Sequence, residues 1–247
     1  MQRPEQRPVL THEPAAPHAV IMGYAPDKQR YAFLGIVDGA SGRIAAQYYN
    51  LTLAYRSWIY LYSGISAWDA ARGLYYLEAV TGAKDTTALF VFNTSDVSEG
   101  AAPLATLPFP GLGMYMGLSV SPALASIYNP GGPGLVALVD DDGNTAAALW
   151  LLEVNGSDWA AAAWLPLFKY APRTLESAGN DLLELSDDGL TAYAVFYDDH
   201  QPIANQVVSA VDLRSRPGRE VGRTVVKGSE DGTAAIADLA ACPASTG

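Results

Sequence analysis

Residues 180–227 read NDLLELSDDGLTAYAVFYDDHQPIANQVVSAVDLRSRPGREVGRTVVK, and this stretch decides the fold. Strand-like runs occupy 182–186, 191–197, 206–212 and 220–227. Asp187-Asp188-Gly189 joins the first two as a tight turn, because Asp-Gly accommodates the backbone that a short hairpin requires. Arg214–Gly218 supplies the turn between the last two. Consecutive antiparallel strands on short turns, taken four at a time, build one blade of a β-propeller. A β-sandwich is the competing all-β arrangement, since it also uses short strands and regular turns.

The same grammar recurs upstream. An apolar run closed by one polar acceptor and a turn appears as AFLGIVDG ending near Asp38, ALFVFNTS near Asn93, ALWLLEVN near Glu153 and VVSAVDLR near Asp212. A second series precedes these at 18–24, 74–80, 135–141 and 191–197. A third follows at 43–51, 103–109, 159–167 and 220–227, and a fourth opens the later units at 64–68, 117–121 and 182–186. Near-even repetition of one supersecondary unit is the signature of a repeat architecture. The expected fold is therefore an all-β propeller of about four four-stranded blades, or part of a larger propeller. Asp38, Asn93, Glu153 and Asp212 are expected at equivalent places. The opening strand of the first unit is missing from this grid, and GTAAIADL at 232–239 is the candidate to fill it. Such closure removes open sheet edges.

The chain divides into an arm at 1–17, rich in Pro, Gln and charge, a single domain at 18–239, and a tail at 240–247. At 247 residues it can bury a large core. The net charge of −11 argues against nucleic acid and anionic membrane as partners, because both attract Lys/Arg clusters. Arg214, Arg216, Arg219 and Arg223 form one modest basic group, read as a solvated turn and outer strand. The single cysteine, Cys242, permits no intrachain disulfide. Three sequons, Asn50-Leu51-Thr52, Asn93-Thr94-Ser95 and Asn155-Gly156-Ser157, suit a secreted glycoprotein. The N-terminus has no apolar signal core. Compartment stays open, with a lean toward secretion.

Few residues carry chemistry. Of three histidines, His12 and His18 fall in or beside the arm, which leaves His200 for an ordered site. The GxSxG, HExxH and CxxC patterns are absent. Asn129–Gly134, NPGGPG, reads as a flexible loop and lacks the lysine of a phosphate cradle. Asp140-Asp141-Asp142-Gly143-Asn144 reads as a solvated hairpin turn. Asp198-Asp199-His200 reads first as an exposed turn; its two carboxylates and imidazole could also bind a ligand or move a proton. Tyr60 and Tyr62 stand in the most aromatic part of the chain, Trp58–Tyr62 with Tyr48, Tyr49 and Tyr55. Core packing is the plainer role for them, and a stacking platform for a sugar or other planar ligand is the sharper one.

Asn180–Tyr193, NDLLELSDDGLTAY, and Trp68–Tyr76, WDAARGLYY, resemble signatures of six-bladed propellers of the gluconolactonase and senescence-marker-protein type. The resemblance implies a central divalent metal with Asn180 among its ligands, and hydrolysis of a sugar lactone. Apart from that implied metal, no cofactor is expected. Three functions follow. The leading one is a non-enzymatic binding or scaffold module for a protein or small ligand. The others are a metal-dependent lactonase-like enzyme and a secreted carbohydrate-binding lectin. Candidate ligand-binding residues are Tyr60, Tyr62, Trp68, Asp198, Asp199 and His200.

Overall fold

A computed structural model describes residues 18–24, 30–37, 41, 43–50, 65–81, 86–95, 102–108, 114–141, 146–170, 182–197 and 205–227. The chain forms two compact units. One comprises Met1–Ala54 with Val97–Ala101, and the other Tyr55–Asp96 with Ala102–Gly247.

The first unit holds one antiparallel sheet of three strands, β1 (His18–Tyr24), β2 (Arg30–Val37) and β3 (Ile44–Asn50), in chain order. His18 pairs with Ile36 and Tyr24 with Arg30, and Leu34 is fully buried. The expected closing strand at 232–239 lies outside the described residues, as does Asp38.

The second unit holds three four-stranded antiparallel sheets, each a simple up-and-down meander. Sheet B comprises β4 (Ser66–Asp69), β5 (Leu74–Thr81), β6 (Thr86–Asn93) and β7 (Ala105–Pro108). Sheet C comprises β8 (Met114–Val120), β9 (Leu135–Asp141), β10 (Ala146–Asn155) and β11 (Asp158–Lys169). Sheet D comprises β12 (Leu183–Leu185), β13 (Thr191–Tyr197), β14 (Asn205–Asp212) and β15 (Arg219–Lys227). Every strand foreseen in these three units is present.

The sheets stack face to face, with C in the middle. Successive side chains of a strand point to opposite faces, which explains the unbroken apolar run LVALV in β9. Leu135, Ala137 and Val139 join the core shared with sheet B, and Val136 and Leu138 join the core shared with sheet D. Sheet D answers with Leu183 opposite Ala194 and Leu185 opposite Ala192. Pairing a large with a small side chain keeps the layer even and close-packed. The first strands of the three sheets meet, β8 lying beside both β4 and β12. A Cβ on Gly117 would come within 2.7 Å of both the Cβ and the backbone nitrogen of Leu183. Only glycine permits the two strands to approach this closely.

One element was not foreseen. The connection from β8 to β9 carries a short helix, α1 (Pro122–Tyr128). Its signal was legible: Ser121 is a favoured N-cap and Pro122 stands in the first turn, where its missing N–H costs nothing. The Asn129–Gly134 segment after it is not a loose loop. Asn129 Nδ2 donates to the carbonyls of Pro133 (3.2 Å) and Leu152 (3.1 Å), and Gly132, Pro133 and Gly134 are buried.

Candidate functional site

Sheets B and D superpose in hydrogen-bonding detail at one end. Ser95 N–H donates to Asn93 Oδ1, and Arg214 N–H donates to Asp212 Oδ1, each at 3.0 Å. The intervening Thr94 N–H and Leu213 N–H donate to the carbonyls of Gly73 (2.8 Å) and Leu190 (2.9 Å). Asn93 and Asp212 are therefore equivalent: a short polar side chain turns the backbone by accepting from two residues on. Glu153 does not share their place. Asn93 pairs with Leu74 and Asp212 with Thr191, the first residues of β5 and β13. Leu151 pairs with Val136, so Leu152 is the residue opposite the start of β9. The reason is that β10 runs on to Asn155 and turns directly into β11 through Gly156 (φ +62).

Further hydrogen bonds hold the turns at this end. In the β4–β5 turn, buried Asp69 accepts from the Arg72 backbone (3.1 Å) and from Arg72 Nη1 (3.2 Å). The Tyr76 hydroxyl stands nearby, fully buried and with no hydrogen-bond partner among the described residues. Burial, reinforced by the Asp69 carboxylate and opposed by Arg72, raises its pKa. In sheet D, Ser186 Oγ donates to Asp188 Oδ1 (2.6 Å). Arg214 reaches Asp188 Oδ2 (2.7 Å) and Asp212 Oδ1 (3.1 Å). The bond from Ser186, then that from the Leu190 N–H, holds the Asp188 carboxyl below its usual range.

Helix α1 fastens sheet C to sheet D at this end. Ser121 Oγ accepts from the Leu124 N–H (3.0 Å) and donates to the Gly189 carbonyl (2.6 Å). Tyr128 Oη donates to the Leu213 carbonyl (2.9 Å). A second polar group lies on the facing side of sheet D. Ser209 Oγ donates to Glu220 Oε1 (2.8 Å), which also accepts from Arg223 Nε (3.1 Å). Tyr170 is packed beside them, its pKa raised chiefly by burial. Sequence reading singled out neither Ser121 nor Ser209, because isolated serines carry no periodic signal, and it held Asp69 only as part of the Trp68–Tyr76 signature. It also passed over Glu78, a fully buried carboxylate at a place where sheet D has Val195. The Glu78 and Val195 N–H groups donate to equivalent carbonyls, those of Ile65 and Leu182.

Of the expected ligand-binding residues, Trp68 alone falls within the described residues. It sits on β4 opposite Tyr75 and is 43% exposed. Tyr60, Tyr62, Asp198, Asp199, His200 and the expected metal ligand Asn180 lie outside them, as do the side chains of Asp140, Asp141 and Asp142. The flanks of two of these segments are described. Leu183 of β12 pairs with Ala194 of β13. The chain thus enters β12, shortly after Asn180, at the same end of sheet D where it leaves β13 for Asp198–His200. That end is opposite the one fastened by Ser121 and Arg214. Among the described residues no three His, Cys, Asp or Glu side chains group as metal ligands would.

No family model and no curated protein matches this sequence. Among solved structures, the chain is similar to "Kuenenia stuttgartiensis Hydrazine Synthase", with a TM-score of 0.42 and 14% identity over 83% of this chain and 48% of that one. The present chain thus spans about half the length of that structure. The likeness is too distant to transfer any property.

Proposed function

We propose that the chain is a β-propeller, whole or part of a larger ring, and that it works as a binding or scaffold module. The observation that carries this reading is the fastening of sheet D to sheet C at one end. At one end the turns are consumed by cross-sheet bonds, Ser121 to Gly189 and Tyr128 to Leu213, and by the Asp188–Arg214–Asp212 ion pairs. The connections that spring from the other end carry Asn180 and Asp198–His200. A rigid stack of sheets is the kind of scaffold on which loop-borne recognition is built. At the fastened end the hydroxyls of Thr94, Ser121, Tyr128 and Ser186 are used as caps and ties. Ser121 both accepts and donates, and so cannot serve as a nucleophile without dismantling the α1 cap.

The test couples metal analysis of the purified protein to hydrolysis of sugar lactones. The binding-module reading expects divalent metal well below one per chain and no turnover above solvent. One metal per chain, with lactone turnover abolished in Asn180→Ala, would replace it with the metal-dependent hydrolase. Binding on a glycan array that is lost in Trp68→Ala would narrow the module to a carbohydrate binder.

A further inference from the structure

We propose that Asn93 and Asn155 are N-glycosylation sites. The chain carries Asn93-Thr94-Ser95 and Asn155-Gly156-Ser157, and an asparagine two residues before a hydroxyl is the acceptor pattern. Pattern alone is weak, and the structure adds placement. Both asparagines end the third strand of their sheet, β6 and β10, and both are exposed. Asn93 Oδ1 is held by the Ser95 N–H at 3.0 Å, which fixes the carboxamide and leaves Nδ2 as its reactive end. Ser95, two residues on, is the hydroxyl residue at the recognition position and is exposed, while the Thr94 hydroxyl is tied to the Gly73 carbonyl (2.9 Å). Around the second site, a Cβ on Gly156 would meet nothing within 4 Å, and Ser157 is exposed. A glycan at either turn would displace no core side chain.

The step is a transfer from a lipid-linked oligosaccharide pyrophosphate. The Asn Nδ2–C1 bond forms, the C1–O bond to pyrophosphate breaks, and Nδ2 gives one proton to a base of the transferase. The lipid pyrophosphate departs with the bonding pair. On sheet C the glycan would stand at the end where Asn129 of the α1 connection binds the Leu152 carbonyl. Through Ser121 and Gly189, this is the fastened end of sheet D. Both sites would then stand at the fastened end, opposite the one where the chain enters β12 and leaves β13. The assignment of the two sites does not depend on the binding-module reading.

The experiment begins with protein isolated from its native source. Its peptides are treated with peptide N-glycosidase in heavy-oxygen water, which converts a glycosylated asparagine to labelled aspartate. Label at positions 93 and 155 is expected; recovery of both as unlabelled asparagine overturns the proposal. In a second arm, the full chain is expressed behind a secretion signal in cultured eukaryotic cells. The secreted wild type should shift on glycosidase treatment, and Asn93→Gln and Asn155→Gln should each remove one step of that shift. Asn50→Gln leaves both of those steps in place. A secreted chain that shows no shift refutes the geometric argument, whatever compartment the native protein occupies.

Discussion

Replacing Ser121 with alanine removes one oxygen that performs two tasks. The hydroxyl caps α1 by accepting from the Leu124 N–H, and it binds the buried Gly189 carbonyl of the neighbouring sheet. Loss of a serine N-cap costs about 1 kcal/mol. Leaving a buried acceptor without a donor adds roughly 1–3 kcal/mol. The two losses fall on different groups, so Ser121→Ala should destabilise by about 2–4 kcal/mol in all. For a chain of this size each kcal/mol lowers Tm by about 2–4 °C. Urea unfolding followed by tryptophan fluorescence gives the midpoint and slope, and the slope should not change. Ser126→Ala is the control, since Ser126 is exposed and its hydroxyl only donates back to the Pro122 carbonyl within the same helix. It should stay within about 0.5 kcal/mol of wild type. If Ser121→Ala unfolds at the same urea concentration as Ser126→Ala, then α1 does not fasten the two sheets.

Gly117→Ala should lose at least about 1–3 kcal/mol, the range for overpacking a filled interior, because its Cβ would collide with Leu183; urea midpoints check this. Tyr76→Phe should be neutral or stabilising, since the hydroxyl it deletes is buried and has no partner among the described residues; a clear loss of stability would show that a group outside those residues binds it. The Asp188 carboxyl should titrate below the usual carboxylate range, and Ser186→Ala should raise it toward that range; carboxyl NMR titration reads both. A depressed folded-state pKa means that the contribution is present above the unfolded pKa and fades as pH falls through the folded one. The sign is opposite for Tyr76 and Tyr170, whose pKa values are raised. Their contribution is full below the ordinary tyrosine range and declines as pH rises past it, and phenolate absorbance should show both titrating above that range.

The strands were legible because their signals are local. Alternating runs such as TAYAVFY in β13, closed by Asp-Asp-Gly on one side, state strand and turn together. The unbroken LVALV of β9 was readable as a strand but not as a doubly covered one, since covering both faces depends on two other sheets. Helix α1 was missed for a different reason. Seven residues are too few for a helical period to stand out against a strand-rich background, and the Ser-Pro start was its only marker. Glu153 was misplaced because polar-residue spacing alone cannot reveal that β10 continues past its sister strands. The ties that fasten the sheets, Ser121 to Gly189 and Tyr128 to Leu213, join residues far apart in sequence and leave no pattern. Trp68 was legible as an aromatic on a strand, but its exposure was not, since exposure depends on what covers the sheet face.

The central claim is that these meanders are successive blades of one propeller, and a crystal structure of the full chain tests it most directly. The account predicts that sheet B maps onto C, and C onto D, by equal rotations about one axis, with β4, β8 and β12 nearest that axis and Asn93 superposed on Asp212. Sheets related instead by translation in a flat stack, or inner strands that share no axis, would contradict it.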